Sequence, residues 1–328
     1  MAAEHARATI VVTPRERFNV ALQSLDSIYE HTDGPFELIY VDGRSPAAVR
    51  KGIEERAARH GFRVVRSDRY LSPNEARNLG FAGVDTEFVV FVDNDLLVTD
   101  GWLQAMIDRA DATGAWAVGP LYFEGDPADE IIHMAGGVIE VRGEHGHRSF
   151  TTEHLLQGAP LAEAGDAVQP GPCDFVEFHC MLVRSDRLRQ LGPLDEALRS
   201  TREHLDLCLA VHDAGGTVWF EPAARVTYST PPPVALRDVP YFWLRWSEAW
   251  TAESLDRFID KHGIDPTYAQ RAHIMRARRQ VVFDPLRHAI DRTLGARAGE
   301  ASAKVLRKLE PPINRVAVRR RPAATPAR

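Results

Sequence analysis

The feature that most constrains the fold is a run of Phe and Val that ends in acids, "FVVFVDNDLLV" at residues 88–98. Continuous apolar runs of this length are typical of strands that are covered on both faces of a parallel sheet. Because an unpaired carboxylate is costly to bury, Asp93 and Asp95 at the end of this run need a cation or a polar partner. The run therefore predicts a functional edge of a buried sheet.

Three similar runs precede it, and helical patterns separate them. The predicted strands span residues 8–13, 36–42, 62–66 and 87–93. One intervening helix begins at Ser72 as N-cap, with Pro73 in the first helical position and Glu75 closing a capping box. Strands that alternate with helices predict an α/β fold with an open, mostly parallel sheet flanked by helices.

The acids at the ends of these strands are expected to lie together. In open parallel sheets, ligands bind beyond the carboxyl ends of the strands. Asp42 ends the second predicted strand, while Asp93 and Asp95 end the fourth. We therefore expect all three carboxylates in one crevice.

The second half of the chain changes pattern. Residues 136–150 predict a hairpin with its turn at 143–146, and "DFVEFHCMLVRSD" at 174–186 predicts another strand. The prolines at 231–233 mark a domain boundary. We predict a main α/β domain at residues 1–232, a helical C-terminal extension at 233–310 and a basic, disordered tail at 311–328.

The charge of the chain is unevenly distributed. The net charge is −6, but residues 301–328 carry eight basic residues against Glu310 alone, which is +7 there and −13 in the remainder. A basic terminus rich in Pro and Ala is typical of a disordered, solvated segment, and it also offers a peripheral contact with anionic membranes. We expect no nucleic-acid partner.

The start of the chain and its cysteines indicate a cytoplasmic protein. The first residues show no signal-peptide pattern, and no run of 18 apolar residues occurs. Cys173, Cys180 and Cys208 are an odd number without CxxC spacing, which argues against a disulfide framework or a zinc site. Localisation is thus expected to be cytoplasmic, with membrane association through the tail as an addition.

The motif Asp93-Asn94-Asp95 offers hard oxygen ligands. Two carboxylates on a turn after a strand suit Mg²⁺ or Mn²⁺, with room for water and phosphate oxygens. That chemistry matches a nucleotide diphosphate. The alternative is a solvated acidic turn without a ligand, since such turns are common after strands.

Longer stretches carry a family resemblance. "TIVVTPRERFNVALQSLDSIYEHTDGPFELIYVDGRSP", "NEARNLGFAGVDTEFVVFVDNDLLVTDGWL" and "GPLDEALRSTREHLDLCLAVHDAGG" succeed one another in an order that resembles glycosyltransferase family 2, over approximately residues 8–230. The resemblance implies the GT-A fold, with residues 1–232 as the nucleotide-sugar-binding and catalytic domain. It also implies transfer of a sugar from a nucleotide-sugar, with UDP-sugar as the expected donor, to a carbohydrate, lipid-linked or small-molecule acceptor, with inversion by direct displacement.

The resemblance also implies roles for individual residues. Asp42 matches the acid that contacts the nucleotide base, Arg77 matches the arginine along the nucleotide, and Asp95 matches the metal-binding acid, with Asp93 toward the ribose or the metal. The other nucleotide-sugar contacts are expected from Thr13, Pro14, Arg15, Glu16 and Asn94. The alternative for Arg77 is a helix-surface arginine paired with Glu75.

The position of the general base departs from the family pattern. Family members usually read Glu-Asp-x-Asp at a helix start, where this chain reads Glu203-His204-Leu205-Asp206. His204 could take the role with a near-neutral pKa, or Glu203 or Asp206 could replace it. In a purely local alternative, Ser200 caps this helix and Glu203 closes a capping box.

Two further features concern the acceptor and the metal. Glu177 and His179 alternate along the predicted strand and so share one face, which places them toward the acceptor or in ordinary packing. Tyr228 stands where many relatives have a metal-binding histidine, so metal dependence is expected to be weak or optional. The replacements at His204 and Tyr228 also motivate an alternative function, a catalytically silent module that binds nucleotide-sugar or glycan.

Overall fold

The structure is a computed structural model, and it describes residues 5–228 and 234–319. Its strands are β1 Ala8–Thr13, β2 Glu37–Gly43, β3 Arg63–Ser67, β4 Phe88–Asp93, β5 Leu96–Val98, β6 Ala117–Glu124, β7 Ile131–Met134, β8 Gly137–Arg142, β9 Ser149–His154, β10 Gly171–Cys173, β11 Cys180–Arg184 and β12 Val218–Tyr228.

The helices alternate with the first strands and then succeed one another at the end of the chain. They are α1 Ala21–His31, α2 Ala47–His60, α3 Pro73–Phe81, α4 Trp102–Thr113, α5 Leu161–Ala164, α6 Ser185–Leu191, α7 Glu203–Asp213, α8 Val239–Arg245, α9 Glu248–His262, α10 His273–Gln280, α11 Asp284–Leu294 and α12 Ala296–Arg319.

Most long strands form one sheet with a common direction. Its order is β10-β12-β6-β11-β4-β1-β2-β3, with β5 beside β12 and β7 beside β6. β1 is parallel to β2 and β4, and β2 is parallel to β3. β6 runs the same way because β11 is antiparallel to both β4 and β6, and β12 is parallel to β6. The predicted mostly parallel α/β sheet is confirmed.

The parallel strands end at one edge of the sheet, here called the carboxyl edge, and close packing of α3 sets its geometry. A Cβ atom on Gly80 would lie 2.3 Å from Val11 Cγ1 and 3.1 Å from Val41 Cγ2, so the glycine lets α3 lie directly on β1 and β2. One turn earlier, Arg77 is then placed over the end of β4. In the parallel register, Thr13 is paired with Asp93, which brings the loops after β1 and β4 together.

The predicted hairpin is present as β8 and β9, but the strand predicted from residue 174 begins only at Cys180. The hydroxyl of Tyr122 lies 2.9 Å from the carbonyl of Glu177 and 2.7 Å from that of Cys180, and it accepts a hydrogen bond from the amide of Glu177. The Tyr122 hydroxyl thus takes the place of a neighbouring strand as hydrogen-bond partner. Glu177 and His179 therefore lie in a turn-containing segment before β11 and not on a strand.

The capping box expected at Ser200 is wrong. The N-cap of α7 is Arg202, which has a φ of 75°, and the amide of Ser200 donates to Ser254 Oγ. The hydroxyl of Ser200 lies 3.3 Å from that of Thr251. Ser200 therefore contacts α9 of the C-terminal extension, and Glu203 does not close a capping box with it.

The C-terminal extension is helical, from α8 to α12. The prolines at 231–233 lie outside the described residues. The tail predicted from residue 311 is helical as far as Arg319, and residues 320–328 lie outside the described part of the chain. Among the helices described, none is both long enough and apolar enough to cross a membrane.

Candidate functional site

Asp93 is the most heavily contacted acid of the carboxyl edge. Its side chain is 1% exposed, and its two oxygens accept hydrogen bonds from Arg77 at 3.2 Å and from Arg15 at 3.1 Å. The Nδ1 atom of His179 lies 3.2 Å from Asp93 Oδ2. Burial alone would raise the pKa of Asp93, but Arg15, the hydrogen bond with His179 and Arg77 lower it to about 2. This carboxylate is therefore charged and held by arginines.

Asp95 has the opposite environment. Both of its carboxylate oxygens are buried and have no hydrogen-bond partner in the described protein, and the guanidinium of Arg17 comes no closer than 3.8 Å. Burial raises the pKa of Asp95 to about 6, against the attraction of Arg17. Between the two acids, Asn94 accepts from the amide of Arg15 and donates to the carbonyl of Arg17. The turn is thus fixed, while Asp95 is left able to take a cation.

Asp42 lies in the same region, at the end of β2. Its Oδ1 accepts a hydrogen bond of 2.8 Å from the amide of Ser45, and its Oδ2 accepts from Arg66. The hydroxyls of Ser45 and of Thr13 are buried without a hydrogen-bond partner in the described protein. The three predicted acids are therefore brought to one edge, and unpaired hydroxyls lie beside them.

The C-terminal extension covers this edge, which the sequence did not predict. The hydroxyl of Tyr241 lies 3.1 Å from the carbonyls of Pro14 and Leu71. From α10, Arg278 donates to Glu16 and to the hydroxyl of Tyr228. Burial raises the pKa of Glu16, but the charges of Arg278 and Arg15 lower it to about 2. Two predicted nucleotide contacts, Pro14 and Glu16, are thus engaged by the extension.

The three candidate bases have different partners. Glu203 is buried and accepts from Arg245 at 2.9 Å. Asp206 lies 2.8 Å from both Lys261 Nζ and His262 Nε2 at the end of α9. His204 faces inward, with its Nε2 4.0 Å from Glu177 Oε1, and burial lowers its pKa to about 4, below the near-neutral value expected of it as a base. Of the three, only His204 is neutral and outside a close ion pair.

Glu177 and His179 belong to a cluster that the sequence only half predicted. The ligand atoms of Glu177, His179 and His133 all lie within 4.8 Å of one another, and they form the one potential metal-binding group found among the described residues. Burial opposes protonation of His133, but Glu177 and Glu124 raise its pKa to about 9. His133 and the neighbouring His154 come from β7 and β9, and no local pattern marked them.

Tyr228 and Arg77 have contacts that clarify their expected roles. The hydroxyl of Tyr228 donates to Glu16 at 3.0 Å, so it acts in a hydrogen-bond network.

Arg77 is not paired with Glu75, which binds Arg69. Its guanidinium instead contacts Asp93 and lies 3.9 Å from the ring centroid of Phe178. The surface alternative for Arg77 is therefore wrong.

Comparison with known proteins identifies a family. Residues 9–191, more than half of the chain, match the family model described as "Glycosyl transferase family 2". The Pre-mycofactocin glycosyltransferase of Mycobacterium tuberculosis is 29% identical over 158 residues, which are 48% of this chain and 30% of that protein. The human Polypeptide N-acetylgalactosaminyltransferase 15 is 25% identical over 226 residues, which are 64% of this chain and 34% of that protein. The chain thus spans about a third of these relatives.

Solved structures share the fold at low sequence identity. The structure of GalNAc-T7 with UDP, GalNAc and Mn²⁺ has a TM-score of 0.54 and 15% identity, covering 84% of this chain and 55% of that one. The mannosyltransferase PcManGT from Pyrobaculum calidifontis, in complex with GDP-Man and Mn²⁺, has a TM-score of 0.50 and 14% identity, covering 96% and 86%. Both similarities support the GT-A sheet arrangement.

The buried pair between Arg77 and Asp93 yields a stability prediction. Replacing Arg77 with Met keeps most of the side-chain volume but leaves a buried carboxylate short of one cation. Losing one partner of a buried pair costs about 3 kcal/mol in the free energy of unfolding. Urea denaturation of Arg77→Met measures this cost.

The matched control for this prediction is Arg50→Met. Arg50 forms an exposed i,i+4 pair with Glu54 on α2, and such pairs contribute about 0.5 kcal/mol or less. Equal midpoints for the two variants would show that the Asp93 charge does not depend on Arg77.

Proposed function

Because the chain belongs to glycosyl transferase family 2, we propose that it transfers a sugar from a nucleotide-diphosphate sugar to a hydroxyl group of an acceptor. The observation that carries the proposal is the set of buried polar atoms without a hydrogen-bond partner in the described protein: both oxygens of Asp95 and the hydroxyls of Thr13 and Ser45. Buried polar atoms are nearly always paired in native proteins. These atoms therefore favour a polar ligand at the carboxyl edge.

The proposed donor is a UDP-sugar. GalNAc-T7 was solved with UDP and PcManGT with GDP-Man, so proteins of this fold take nucleotide diphosphates. In the proposed complex, Asp42 faces the base, and Arg15 and Arg77 provide charge-assisted hydrogen bonds near the diphosphate. The remaining bordering residues are Thr13, Pro14, Glu16, Asp93 and Asn94.

Asp95 fits a divalent ion better than Asp93 does. Its two oxygens have no hydrogen-bond partner in the described protein and only a distant ion pair with Arg17, and carboxylate oxygens suit Mn²⁺ or Mg²⁺. Asp93 already has two arginine partners, so in the proposal it borders the ribose or the ion. A bound ion of this kind offsets the negative charge that a departing diphosphate gains. Both neighbouring structures contain Mn²⁺.

His204 is the proposed general base on the acceptor side. It is the candidate without a close ion pair, whereas Glu203 is held by Arg245 and Asp206 by residues of α9. A neutral imidazole can accept the proton of the attacking hydroxyl. Direct displacement of the diphosphate by that hydroxyl inverts the anomeric centre. The acceptor, a carbohydrate, a lipid-linked sugar or a small molecule, is proposed to lie beside Glu177 and His179.

A second function is favoured by the covered edge. Tyr241 contacts the carbonyls of Pro14 and Leu71, and Arg278 engages Glu16, so a ligand that enters must displace contacts of the extension. A catalytically silent module that binds nucleotide-sugar or glycan is consistent with this arrangement.

Donor turnover separates the two functions. We expect release of nucleotide diphosphate from at least one sugar nucleotide in a panel with Mn²⁺ or Mg²⁺, measured by a coupled assay. Asp95→Asn should lower this rate by about 10²–10³-fold, the cost of losing a group that stabilises transition-state charge. Asp100→Asn, at an exposed acid nearby in sequence, is the control. Binding of UDP in calorimetry without turnover of any donor would favour the silent module.

The base assignment has its own test in the same assay. Replacing His204 with Gln should lower kcat by about 10²–10⁴-fold with a smaller effect on the KM for the donor, while His147→Gln at the exposed hairpin tip leaves both unchanged. Glu203→Gln and Asp206→Asn are compared with it. If His204→Gln stays active while either Glu203→Gln or Asp206→Asn loses its activity, the general base is the acid that was replaced and not His204.

We also propose that α12 contacts an anionic membrane surface. Four apolar side chains at helical spacing, Val305, Leu309, Ile313 and Val316, are between 42% and 55% exposed. The basic side chains on the same helix are Arg297, Lys304, Arg307, Lys308 and Arg315. A helix with an exposed apolar stripe and basic flanks is typical of interfacial binding.

Vesicle co-sedimentation tests the membrane contact. We expect binding to vesicles with phosphatidylserine, weaker binding to neutral phosphatidylcholine vesicles and loss at high salt, since each basic residue contributes about 1 kcal/mol near an anionic surface. Leu309→Glu should weaken binding about tenfold or more. Leu79→Glu, at an exposed leucine of α3, is the control. Equal binding to both kinds of vesicle would contradict the proposal.

A further inference from the structure

Four histidines surround the carboxylate of Glu177, and the proposed glycosyl transfer gives a proton-transfer role only to His204. His133 lies on β7, His154 ends β9, His179 precedes β11 and His204 is in the first turn of α7. These segments are far apart in the sequence, so the cluster is a product of the tertiary fold. The Glu177 side chain is 12% exposed and that of His179 is 3% exposed, so the cluster is mostly, but not completely, shielded from solvent.

Two imidazole nitrogens lie near the same oxygen of Glu177. The distance from Glu177 Oε2 is 3.0 Å to His133 Nε2 and 3.2 Å to His179 Nε2. In a tetrahedral zinc site with bonds of about 2.0–2.1 Å, neighbouring ligand atoms are about 3.3 Å apart. Both nitrogens are therefore at a suitable distance from the oxygen, and the three ligand atoms all lie within 4.8 Å of one another.

The other nitrogen of each of these two rings faces a carboxylate. His133 Nδ1 lies 3.0 Å from Glu124 Oε2, and His179 Nδ1 lies 3.2 Å from Asp93 Oδ2. Metal-binding histidines usually have this arrangement, because a carboxylate that takes the Nδ1 proton orients the ring and makes Nε2 a better ligand. The arrangement is complete behind His133, where the contact is a hydrogen bond, whereas His179 Nδ1 lies close to Asp93 without hydrogen-bond geometry.

A cation between these atoms would also balance their charge. Without a metal, a protonated His133 lies between Glu124 and Glu177, which raise its pKa to about 9. A divalent ion bound to His133 Nε2 and to Glu177 would displace the Nε2 proton and leave the Nδ1 proton with Glu124.

We propose that His133, Glu177 and His179 bind one divalent transition-metal ion, and that zinc fits the ligands best. Two imidazoles, one carboxylate and an open position form a ligand set that zinc has in enzymes. Imidazole also selects against Mg²⁺ and Ca²⁺, which take oxygen ligands. The site shares no ligand with the one proposed at Asp95.

The remaining two histidines lie at the other oxygen of Glu177. The Nε2 atoms of His154 and His204 are 3.6 Å and 4.0 Å from Glu177 Oε1. Either imidazole could accept a proton from a water molecule or a hydroxyl group bound beside Glu177. His154 could also become a fourth ligand.

Metal titration of the full-length protein tests the site. The protein is treated with a chelator, dialysed and titrated with Zn²⁺ or Co²⁺, and bound metal is measured by mass spectrometry. We expect about one equivalent of tightly bound ion and, for Co²⁺, visible absorption of a low-coordinate site that Zn²⁺ abolishes. Glu177→Gln should weaken binding about 100-fold or more, and Glu124→Gln, behind His133, about 10–100-fold.

Controls make each outcome decisive. His147→Gln, at an exposed histidine of the hairpin tip, should bind Zn²⁺ as the unchanged protein does. Asp95→Asn should also keep Zn²⁺, which separates this site from the one used in the proposed transfer reaction. If Glu177→Gln fails to fold by circular dichroism, Glu124→Gln and His133→Asn decide. Absence of stoichiometric uptake, or equal affinity in the folded variants, overturns the proposal.

Discussion

The carboxyl edge of this sheet depends on keeping the charge of Asp93 buried. A carboxylate removed from water costs several kcal/mol unless cations and hydrogen bonds replace the solvent. Here Arg15 comes from the loop after β1, Arg77 from α3, and His179 from the segment before β11. Each of these segments must keep its position for the buried charge to remain stable, so one side chain fixes a loop, a helix and the segment before β11 relative to β4.

The same requirement ties the C-terminal extension to the sheet. Glu16 and Glu203 are buried acids, and their closest cations are Arg278 and Arg245, both from the extension. The family match ends at residue 191, whereas these cations lie beyond 239. Glu16 within the matched part and Glu203 beyond it thus have their closest cations on α10 and α8, and the sheet and the extension are expected to fold as one cooperative unit.

Local periodicity was enough to predict the strands and the acids at their ends, but it could not predict contacts between distant segments. Strand ends placed Asp42, Asp93 and Asp95 at one edge, because buried parallel strands give continuous apolar runs. The Ser200 cap was wrong because contacts with α9 outweighed a local motif. His133 and His154 had no signal, since a histidine in a hairpin looks the same whether or not a distant carboxylate faces it. The covering role of Tyr241 and Arg278 likewise depends on docking that no local pattern encodes.

The two anionic centres of the molecule differ in the kind of ion they favour. Asp95 is surrounded by oxygen and guanidinium groups and offers only hard carboxylate oxygens, which suit Mn²⁺ or Mg²⁺. Glu177 is surrounded by imidazole nitrogens, which suit a softer ion. His179 and Asp93 lie between these centres and contact each other. An ion that draws the Nε2 lone pair of His179 would make its Nδ1 proton more acidic and so strengthen the interaction of that proton with Asp93. Charge at Glu177 would thereby be linked, through one imidazole, to the carboxylate at the end of β4.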